Sequence, residues 1–369
     1  MMTHPSIFPR LWRCCLVPIL ALMIVPVAGA SDTELSRRVV VMGTVLELRV
    51  SALDRHTALA ASQAIIDAVE AVESRLSTWR EESELNRVNR AAVGTPVKIS
   101  PELEADLRSA RHWWSETGGL FDPGVASLVA AWDLRGGGRL PLPAELKAAR
   151  LAAGFRHLEL GSGVARRTVA AFGVEEGGFG KGIALRDAVR AALEADASCV
   201  VIDFGGQVVV SGACEMTGID IAHPRRRDAV IALLDLKSGS AATSGNSERG
   251  VSIGGVRYGH LLDPTTGRPA PDWGSVTVIA PDPVAADCLA TALFVMGPQR
   301  GAEWLSRKPG VEAVFAKTDG ESMTLTATAG LRGRLLMVEG NLRFLSSRRN
   351  ERAAGEREIL EITERKTGS

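Results

Sequence analysis

Asp287 and Thr291 form the residue pair whose types and spacing best suit a cation site. They lie four residues apart in an apolar stretch that follows Asp282-Pro283 and is predicted to be helical as far as Met296. Residues four apart share one face of a helix, so the carboxylate and the hydroxyl lie one turn apart. With a backbone carbonyl they form an oxygen set that suits Mg²⁺. The alternative is a solvated Asp and a Thr bonded to its own backbone.

A glycine cluster at 177–182 precedes a predicted amphipathic helix over 181–195. It is not a phosphate P-loop, because Glu175 and Gly182 stand where that motif needs Gly and Ser or Thr. Its glycine spacing also differs from the Rossmann fingerprint. Free backbone amides at a helix start nevertheless suit a phosphate, and Lys181 adds a positive charge. An ordinary turn before a helix explains the same residues.

Two further polar segments are candidates for the same site. Residues 260–269 combine His260 and Asp263 with a Pro–Gly turn, and histidine is the usual general base near neutral pH. Residues 242–246 form a cluster with two hydroxyl side chains. A plain turn accounts for either segment, so neither decides the function by itself.

Apolar periodicity predicts the elements that position these residues. We expect helices over 56–76, 101–114, 143–153, 181–195, 283–296 and 299–306. We expect strands over 39–50, 155–160, 164–172, 200–210, 218–222, 229–236, 251–257, 275–280, 311–316, 322–327 and 334–338, and we expect Gly205-Gly206 to interrupt the strand over 200–210. Strands and helices do not alternate regularly, which predicts an α+β fold with mostly antiparallel sheets, flanking helices and two lobes.

The first 30 residues have the pattern of a signal peptide. Arg10 and Arg13 precede an apolar run, and Ala28-Gly29-Ala30 offers small residues for cleavage. The run is shorter than the ~20 apolar residues of a spanning helix, so we predict cleavage and export to the periplasm. An uncleaved membrane anchor is the alternative. We expect a signal peptide at 1–30, one domain at 31–345 and a charged tail at 346–369.

Charge and cysteine content narrow the class of protein further. The chain has 43 basic and 43 acidic residues, whereas a nucleic-acid-binding protein would present a basic face. Cys199, Cys214 and Cys288 are too few and too scattered for a disulfide framework or a metal site. Cys199 and Cys214 flank one strand-like stretch, where a disulfide and two small buried thiols are both open interpretations.

Read in chain order, the motifs resemble those of the ApbE family of FAD:protein FMN transferases. The resemblance runs from about residue 40 to about residue 340. Eight short segments in the family's order are a specific signal. They are Met42-Gly43-Thr44, Leu76-Ser77-Thr78-Trp79 with Ser83-Glu84-Leu85 and Asn89, Phe121-Asp122-Pro123, 175–182, Asp203-Phe204-Gly205-Gly206, Ala242-Thr243-Ser244-Gly245, 260–269 and 286–292.

The resemblance implies a metal site and catalytic residues. The main-chain carbonyl of Gly178, the carboxylate of Asp287 and the hydroxyl of Thr291 would bind Mg²⁺. Asp287 would thereby be catalytic. We add His260 as the candidate base for the attacking hydroxyl, with Asp263 orienting it.

The resemblance also implies a set of FAD contacts. Trp79 stands where the family usually carries Tyr, and an indole still stacks on a flat ring. Glu175 stands where Asp is typical, which keeps the charge on a longer side chain. The residues that would contact FAD are Met42, Trp79, Leu120, Phe121, Asp122, Glu175, Lys181 and Leu261.

The implied reaction transfers the FMN half of FAD to a Thr or Ser hydroxyl of an acceptor protein and releases AMP. Mg²⁺ would be the cofactor and FAD the substrate. The implied acceptor belongs to an exported or membrane-bound electron-transfer complex. Two alternatives stay open at this point: an FAD pyrophosphatase, in which water replaces the protein hydroxyl, and a protein that binds FAD without cleaving it.

Overall fold

The structure is a computed structural model that describes residues 32–247, 249–320, 322–338 and 341–345. The predicted signal peptide at 1–30 and the predicted tail at 346–369 lie outside these residues. Within the described part of the chain, no helix has the length and apolar character needed to cross a membrane.

The helices begin where the sequence offers capping residues. The Ser100 hydroxyl accepts a hydrogen bond from the Leu103 amide, and the Asp282 carboxylate accepts from the amides of Val284 and Ala285. Proline at the first helical position follows both caps. The α-helices are α1 Arg55–Leu76, α2 Glu84–Arg90, α3 Pro101–Glu116, α4 Ala126–Ala131, α5 Pro143–Ala152, α6 Gly180–Glu194 and α7 Pro283–Leu305.

The strands form one large sheet and several small ones. They are β1 Thr33–Val41, β2 Thr44–Ala52, β3 Val97–Lys98, β4 Leu158–Gly161, β5 Val164–Arg167, β6 Cys199–Phe204, β7 Gln207–Gly212, β8 Thr217–Ala222, β9 Val230–Leu236, β10 Gly239–Gly245, β11 Gly250–Ile253, β12 Val256–Gly259, β13 Leu262–Asp263, β14 Arg268–Pro269, β15 Gly274–Ala280, β16 Glu312–Asp319, β17 Ser322–Ala327, β18 Leu335–Met337 and β19 Asn341–Phe344.

The large sheet has the order β1-β2-β6-β7-β10-β15-β16-β17-β19. Its strands pair antiparallel except for β17 and β19, which run parallel. The smaller sheets are β18-β9-β8, β3-β5-β4, β11-β12 and β13-β14. The predicted α+β class with mostly antiparallel sheets is confirmed.

Two apolar clusters lie on opposite faces of the large sheet. On β15, Val276 and Val278 pack in a cluster with α1, α6 and α7, whereas Ile279 packs in a cluster with β8, β9 and β18. This alternation follows from the period of two along a strand. Because both faces of the sheet are covered, every residue of β15 is buried.

Two segments predicted as strands are hairpins: 39–50, predicted as one strand, and 200–210, predicted as a strand interrupted at Gly205-Gly206. Residues 39–50 contain the turn Met42-Gly43, in which both residues have positive φ, at 50° and 68°. Residues 200–210 turn in the same way at Gly205-Gly206, with φ of 57° and 82°. Positive φ at both positions is typical of two-residue hairpin turns. The prediction of one strand over 39–50 was wrong because apolar residues continue on both sides of its turn, whereas the interruption predicted at Gly205-Gly206 is where β6 ends and β7 begins.

Other element boundaries also differ from the predictions. The helices predicted over 283–296 and 299–306 are confirmed as two helical segments of α7, which non-helical geometry at Gly297 separates, with φ of 75°. Residues 251–257 belong to the hairpin of β11 and β12 rather than to one strand. The cluster at 242–246 lies largely on strand β10.

The structure joins Cys199 and Cys214 in a disulfide, with their Cα atoms 4.9 Å apart. Cys199 begins β6, and Cys214 follows the paired strand β7, so the two positions are neighbours across the sheet. Cys288 is a buried free thiol. The sequence left open a disulfide and two buried thiols, and the structure contains the disulfide.

Candidate active site

Segments far apart in the sequence line one cleft of about 730 Å³. They come from the β1–β2 turn, the end of α1, the start of α6, the β6–β7 turn, the end of β10, the loop after β12, and α7. A cleft of this size suits a small-molecule ligand. The predicted site residues that line it are Met42, Trp79, Lys181, His260, Leu261, Asp287 and Thr291.

The start of α6 is held tightly against the start of α7 at Gly182. A Cβ atom placed on Gly182 would lie 2.7 Å from the carbonyl oxygen of Pro283 and 2.7 Å from the Cα of Val284. The Gly182 amide donates a 2.9 Å hydrogen bond to the carboxylate of Asp287. The Asp287 side chain is therefore fixed at the positive end of α6, with only 6% of the residue exposed.

Burial raises the pKa of the Asp287 carboxyl, because the ionised form loses its contact with water. The positive charge of Lys181 and the amides of Gly182 and Lys181 oppose that rise. A buried carboxylate is costly unless positive groups surround it. The site is therefore electrostatically suited to an additional cation.

The geometry of Thr291 and Gly178 tests whether these residues fit Mg²⁺. Thr291 follows Asp287 by one turn of α7, and both side chains line the cleft. A Cβ on Gly178 would lie 3.2 Å from the Thr291 hydroxyl oxygen, so the Gly178 main chain approaches this hydroxyl closely. One carboxylate with neutral oxygens suits Mg²⁺ when phosphates and waters complete its shell. The residues fit such a shared site.

The described residues hold no group of three or more His, Cys, Asp or Glu side chains arranged for a metal ion. Within the described residues, therefore, carboxylate and imidazole side chains alone do not form a complete set of metal ligands. The predicted set of oxygen donors around Asp287 is compatible with this finding, because it relies on a ligand's phosphates for the remaining positions.

Lys181 extends from the first turn of α6 into the cleft. Its Nζ lies 3.4 Å from the carbonyl oxygen of Gly205 in the β6–β7 turn. Burial and the neighbouring Glu47 raise the pKa of Asp203 in the same region, while the charge of Lys181 lowers it. Lys181 therefore supplies positive charge at the positive end of α6, an arrangement that suits a phosphate.

His260 lines the cleft, and its Nδ1 lies 3.2 Å from the carbonyl oxygen of Arg249. A carbonyl only accepts hydrogen bonds, so this contact places a hydrogen on Nδ1. The expectation that Asp263 orients His260 was wrong. The Asp263 carboxylate accepts instead from the amide and the hydroxyl of Thr265, at 2.8 and 2.7 Å.

Leu120, Phe121 and Asp122 lie outside the lining of the cleft. Phe121 is 1% exposed, and a Cβ on Gly178 would lie 3.2 Å from its ring, so Phe121 supports the segment that carries Gly178. The direct FAD contacts implied for these three residues stay a prediction.

The carboxylate of Asp122 organises the chain behind the cleft. It accepts hydrogen bonds from the Trp114 indole at 3.0 Å, the Gly124 amide at 2.7 Å and the Phe155 amide at 3.0 Å. Burial raises the pKa of Asp122 to about 6, and these three donors offset part of the rise.

The raised pKa of Asp122 predicts a pH dependence of stability. The folded state holds this proton more tightly than the unfolded state, so the contribution is complete below pH about 4 and is lost as the pH rises toward 6. A shift of this size corresponds to roughly 3 kcal/mol. We expect Asp122→Asn to flatten the change in unfolding free energy between pH 4 and 7, measured by urea titration. An unchanged slope would contradict the assignment.

Four carboxylates that sequence reasoning did not assign to the site also line the cleft: those of Glu47, Glu73, Glu176 and Asp203. Glu73 accepts a 3.2 Å hydrogen bond from the Met42 amide, which fixes a turn whose non-glycine residue has positive φ. Glu176 accepts from the amide and the hydroxyl of Thr78. Glu73 lies one helical turn before Ser77, and this spacing could have indicated that Glu73 belongs to the site. No comparable spacing in the sequence distinguishes Glu176 from the adjacent Glu175.

Glu175, which the resemblance assigned to FAD, is paired differently in the structure. Its carboxylate accepts from the guanidinium of Arg135, and it lies outside the cleft lining. Burial raises the pKa of Glu175, and the charge of Arg135 opposes the rise. Arg135 belongs to a loop that no motif of the sequence marked.

A helix start, a lysine and a buried carboxylate–hydroxyl pair thus converge in one cleft of an antiparallel α+β fold. Such a cleft suits a ligand that carries phosphate. The sequence model of the ApbE family matches residues 42–315, and the chain belongs to this family.

Named relatives and solved structures agree with this membership. A FAD:protein FMN transferase of Treponema pallidum (strain Nichols) is 32% identical over 342 residues, covering 85% of this chain and 92% of the relative. The ApbE protein of Thermotoga maritima is 28% identical and superimposes with a TM-score of 0.72, covering 83% of this chain and 97% of its own. The apo flavinyl transferase ApbE of Pseudomonas stutzeri, 22% identical, shares the fold with a TM-score of 0.73 over 82% and 97%.

Proposed function

We propose that this chain is a FAD:protein FMN transferase, which moves FMN from FAD to a Thr or Ser hydroxyl of an acceptor protein and releases AMP. The observation that carries the proposal is the buried Asp287 carboxylate in the cleft, bonded to the first turn of α6 and one helical turn from Thr291. The name of the Treponema pallidum relative supports flavin transfer.

The proposal includes Mg²⁺ as a cofactor. Asp287, Thr291 and the carbonyl of Gly178 would hold the ion, whose chemistry is to neutralise charge on a diphosphate and on its leaving group. The burial of Asp287 supports this part of the proposal, because the buried carboxylate gains a second positive neighbour besides Lys181.

The chain's own residues would bind and orient the reactants. Lys181 and the positive end of α6 would attract the diphosphate of FAD, and Trp79 would stack on one of its ring systems. The acceptor oxygen forms a bond to the flavin-side phosphorus, and the bond from that phosphorus to the AMP oxygen breaks. The hydroxyl proton passes to Nε2 of His260. Positioning and fixed charge supply most of the rate enhancement.

We further propose that the protein is exported and acts in the periplasm on a subunit of an exported or membrane-bound electron-transfer complex. The Cys199–Cys214 disulfide supports export, since disulfides persist in oxidising compartments. Cell fractionation against periplasmic and membrane markers tests it. Recovery in the membrane fraction after removal of the acceptor would favour an uncleaved anchor, and recovery in the cytoplasm would refute export.

Mass spectrometry of an acceptor gives the direct test of the activity. The purified protein is incubated with FAD, MgCl₂ and a Thr-containing acceptor peptide, with EDTA in a parallel sample. We expect the mass of FMN on the Thr, an equal amount of AMP, and no reaction with EDTA. Free FMN and AMP without acceptor would indicate a pyrophosphatase, and intact bound FAD would indicate a binding protein.

Lys181→Ala is expected to weaken FAD binding by roughly tenfold, because the diphosphate loses a charge-assisted contact. Calorimetric titration with FAD measures the dissociation constant. Lys147→Ala serves as the control, since Lys147 is exposed on α5 and lies outside the cleft. An unaltered dissociation constant in Lys181→Ala would remove Lys181 from the phosphate site.

A further inference from the structure

The Trp79 indole is 71% exposed at the cleft, although one of its two ring faces is covered. The covering group is the guanidinium of Arg135, whose Cζ lies 4.4 Å from the ring centroid. Trp79 lines the cleft, and Arg135 is not among the residues that line it. Because the guanidinium covers one face of the indole, the opposite face is left for a ligand.

The guanidinium is fixed by hydrogen bonds as well as by the ring. It donates to the carbonyl oxygen of Thr78 at 3.2 Å and to the Thr78 hydroxyl. It also pairs with the carboxylate of Glu175. The Thr78 hydroxyl in turn donates to the cleft-lining Glu176. Arg135 thus links Thr78 directly to Glu175, and through the Thr78 hydroxyl it is linked to Glu176.

The loop that carries Arg135 is itself anchored. The indole of Trp132 donates a 2.8 Å hydrogen bond to the carbonyl of Gly267, and its ring contacts Tyr258 with centroids 5.5 Å apart. A Cβ on Gly138 would lie 2.5 Å from Val251, so the end of the loop packs closely on β11. The backbone that carries Arg135 is therefore anchored to the rest of the structure, which limits where its guanidinium can lie.

We propose that Arg135 is a positioning residue for FAD, an inference that rests on the proposed function. Its planar guanidinium lies over one face of the Trp79 indole and pairs with Glu175. These two contacts together would fix the indole with its other face available to the ligand. An aromatic ring of FAD then completes a stack of guanidinium, indole and ligand. Arginine suits this role because its flat group stacks and forms ion pairs at once, which lysine cannot do.

Arg135→Ala tests the proposal, with Arg135→Lys as the conservative variant. We expect Arg135→Ala to raise the dissociation constant and the KM for FAD roughly tenfold, with kcat changed less than about twofold. Arg135→Lys keeps the charge beside Glu175 but loses the flat stack, so an intermediate value is expected. Arg139→Ala is the matched control, because Arg139 lies in the same loop but pairs with Glu145 at 2.7 Å.

A double-mutant cycle with Trp79→Ala shows whether Arg135 acts through the indole. In the wild-type background Arg135→Ala changes the free energy of FAD binding by a certain amount. In the Trp79→Ala background we expect the same substitution to change it by less than about half of that amount. Equal effects in both backgrounds would overturn the inference. If Arg135→Ala does not fold, the cycle is run with Arg135→Lys.

The outcomes separate this inference from the proposed function. A wild-type protein that does not bind FAD would refute the proposed function itself. A wild type that binds FAD, with Arg135→Ala binding equally well, would refute only the role of Arg135. Tighter binding by Arg135→Ala would also refute it, since the guanidinium would then occupy space that the ligand needs.

Discussion

Asp287→Ala is expected to reduce FMN transfer on the order of 10³-fold while much of the FAD binding is kept. The substitution removes the buried carboxylate that accepts from the Gly182 amide and that we assign to Mg²⁺. FAD would still contact Lys181 and Trp79, which line the same cleft. Single-turnover formation of the FMN–peptide, followed by mass spectrometry at several MgCl₂ concentrations, measures the loss.

Two further variants make this result specific. Asp287→Asn keeps the size of the side chain but not its charge, so we expect a similar loss of transfer. Asp272→Ala removes an exposed carboxylate outside the cleft, so transfer should equal that of the wild type. An undiminished rate in Asp287→Ala would show that transfer does not depend on this carboxylate and would refute its assignment as the Mg²⁺ ligand.

The site was predictable from sequence where its residues lie on one regular element or in one motif. Asp287 and Thr291 share a face of α7, as their spacing of four required. Lys181 lies in the first turn of the helix predicted from periodicity. That these residues meet His260 and Met42 in one cleft followed only from the order of the motifs. Periodicity describes single elements and carries no information on which elements meet.

The two hairpin turns show why strand prediction failed locally. Alternating apolar residues continue through Met42-Gly43 and through Gly205-Gly206, so a pattern of period two does not reveal the reversal. Glycine at both positions of the second turn was a signal for it. Met42 gave none, because a non-glycine residue rarely adopts its φ of 50°. The contact of its amide with Glu73 stabilises that conformation.

Arg135 and Asp122 illustrate contacts that no local pattern encodes. Arg135 contacts Glu175, which lies 40 positions further along the chain. This contact forms only because the loop after α4 reaches both the end of α1, at Thr78, and the segment before α6. Asp122 was assigned to a ligand through its motif, whereas the structure surrounds its carboxylate with donors from Trp114, Gly124 and Phe155. A motif identifies a required residue without stating whether it binds a ligand or supports the residues that do.

Gly182→Ala is expected to lower both stability and activity, since Gly182 sets the spacing between α6 and α7. The added Cβ would lie 2.7 Å from the Pro283 carbonyl oxygen and from the Val284 Cα. Both are backbone atoms, so a side-chain rotation does not relieve the overlap and the helices must separate. Overpacking of this kind costs about 3 kcal/mol. The separation also lengthens the hydrogen bond from the Gly182 amide to Asp287, which would weaken the proposed metal site.

Urea unfolding and transfer assays together test this coupling. Gly177→Ala is the matched control for stability, because a Cβ on Gly177 would meet nothing within 4 Å. We expect it to change the unfolding free energy by less than about 0.5 kcal/mol. If Gly182→Ala unfolded at the wild-type urea midpoint, the close crossing of α6 and α7 would be wrong. If it lost stability but transferred FMN at the wild-type rate, Asp287 would not depend on this crossing for its position.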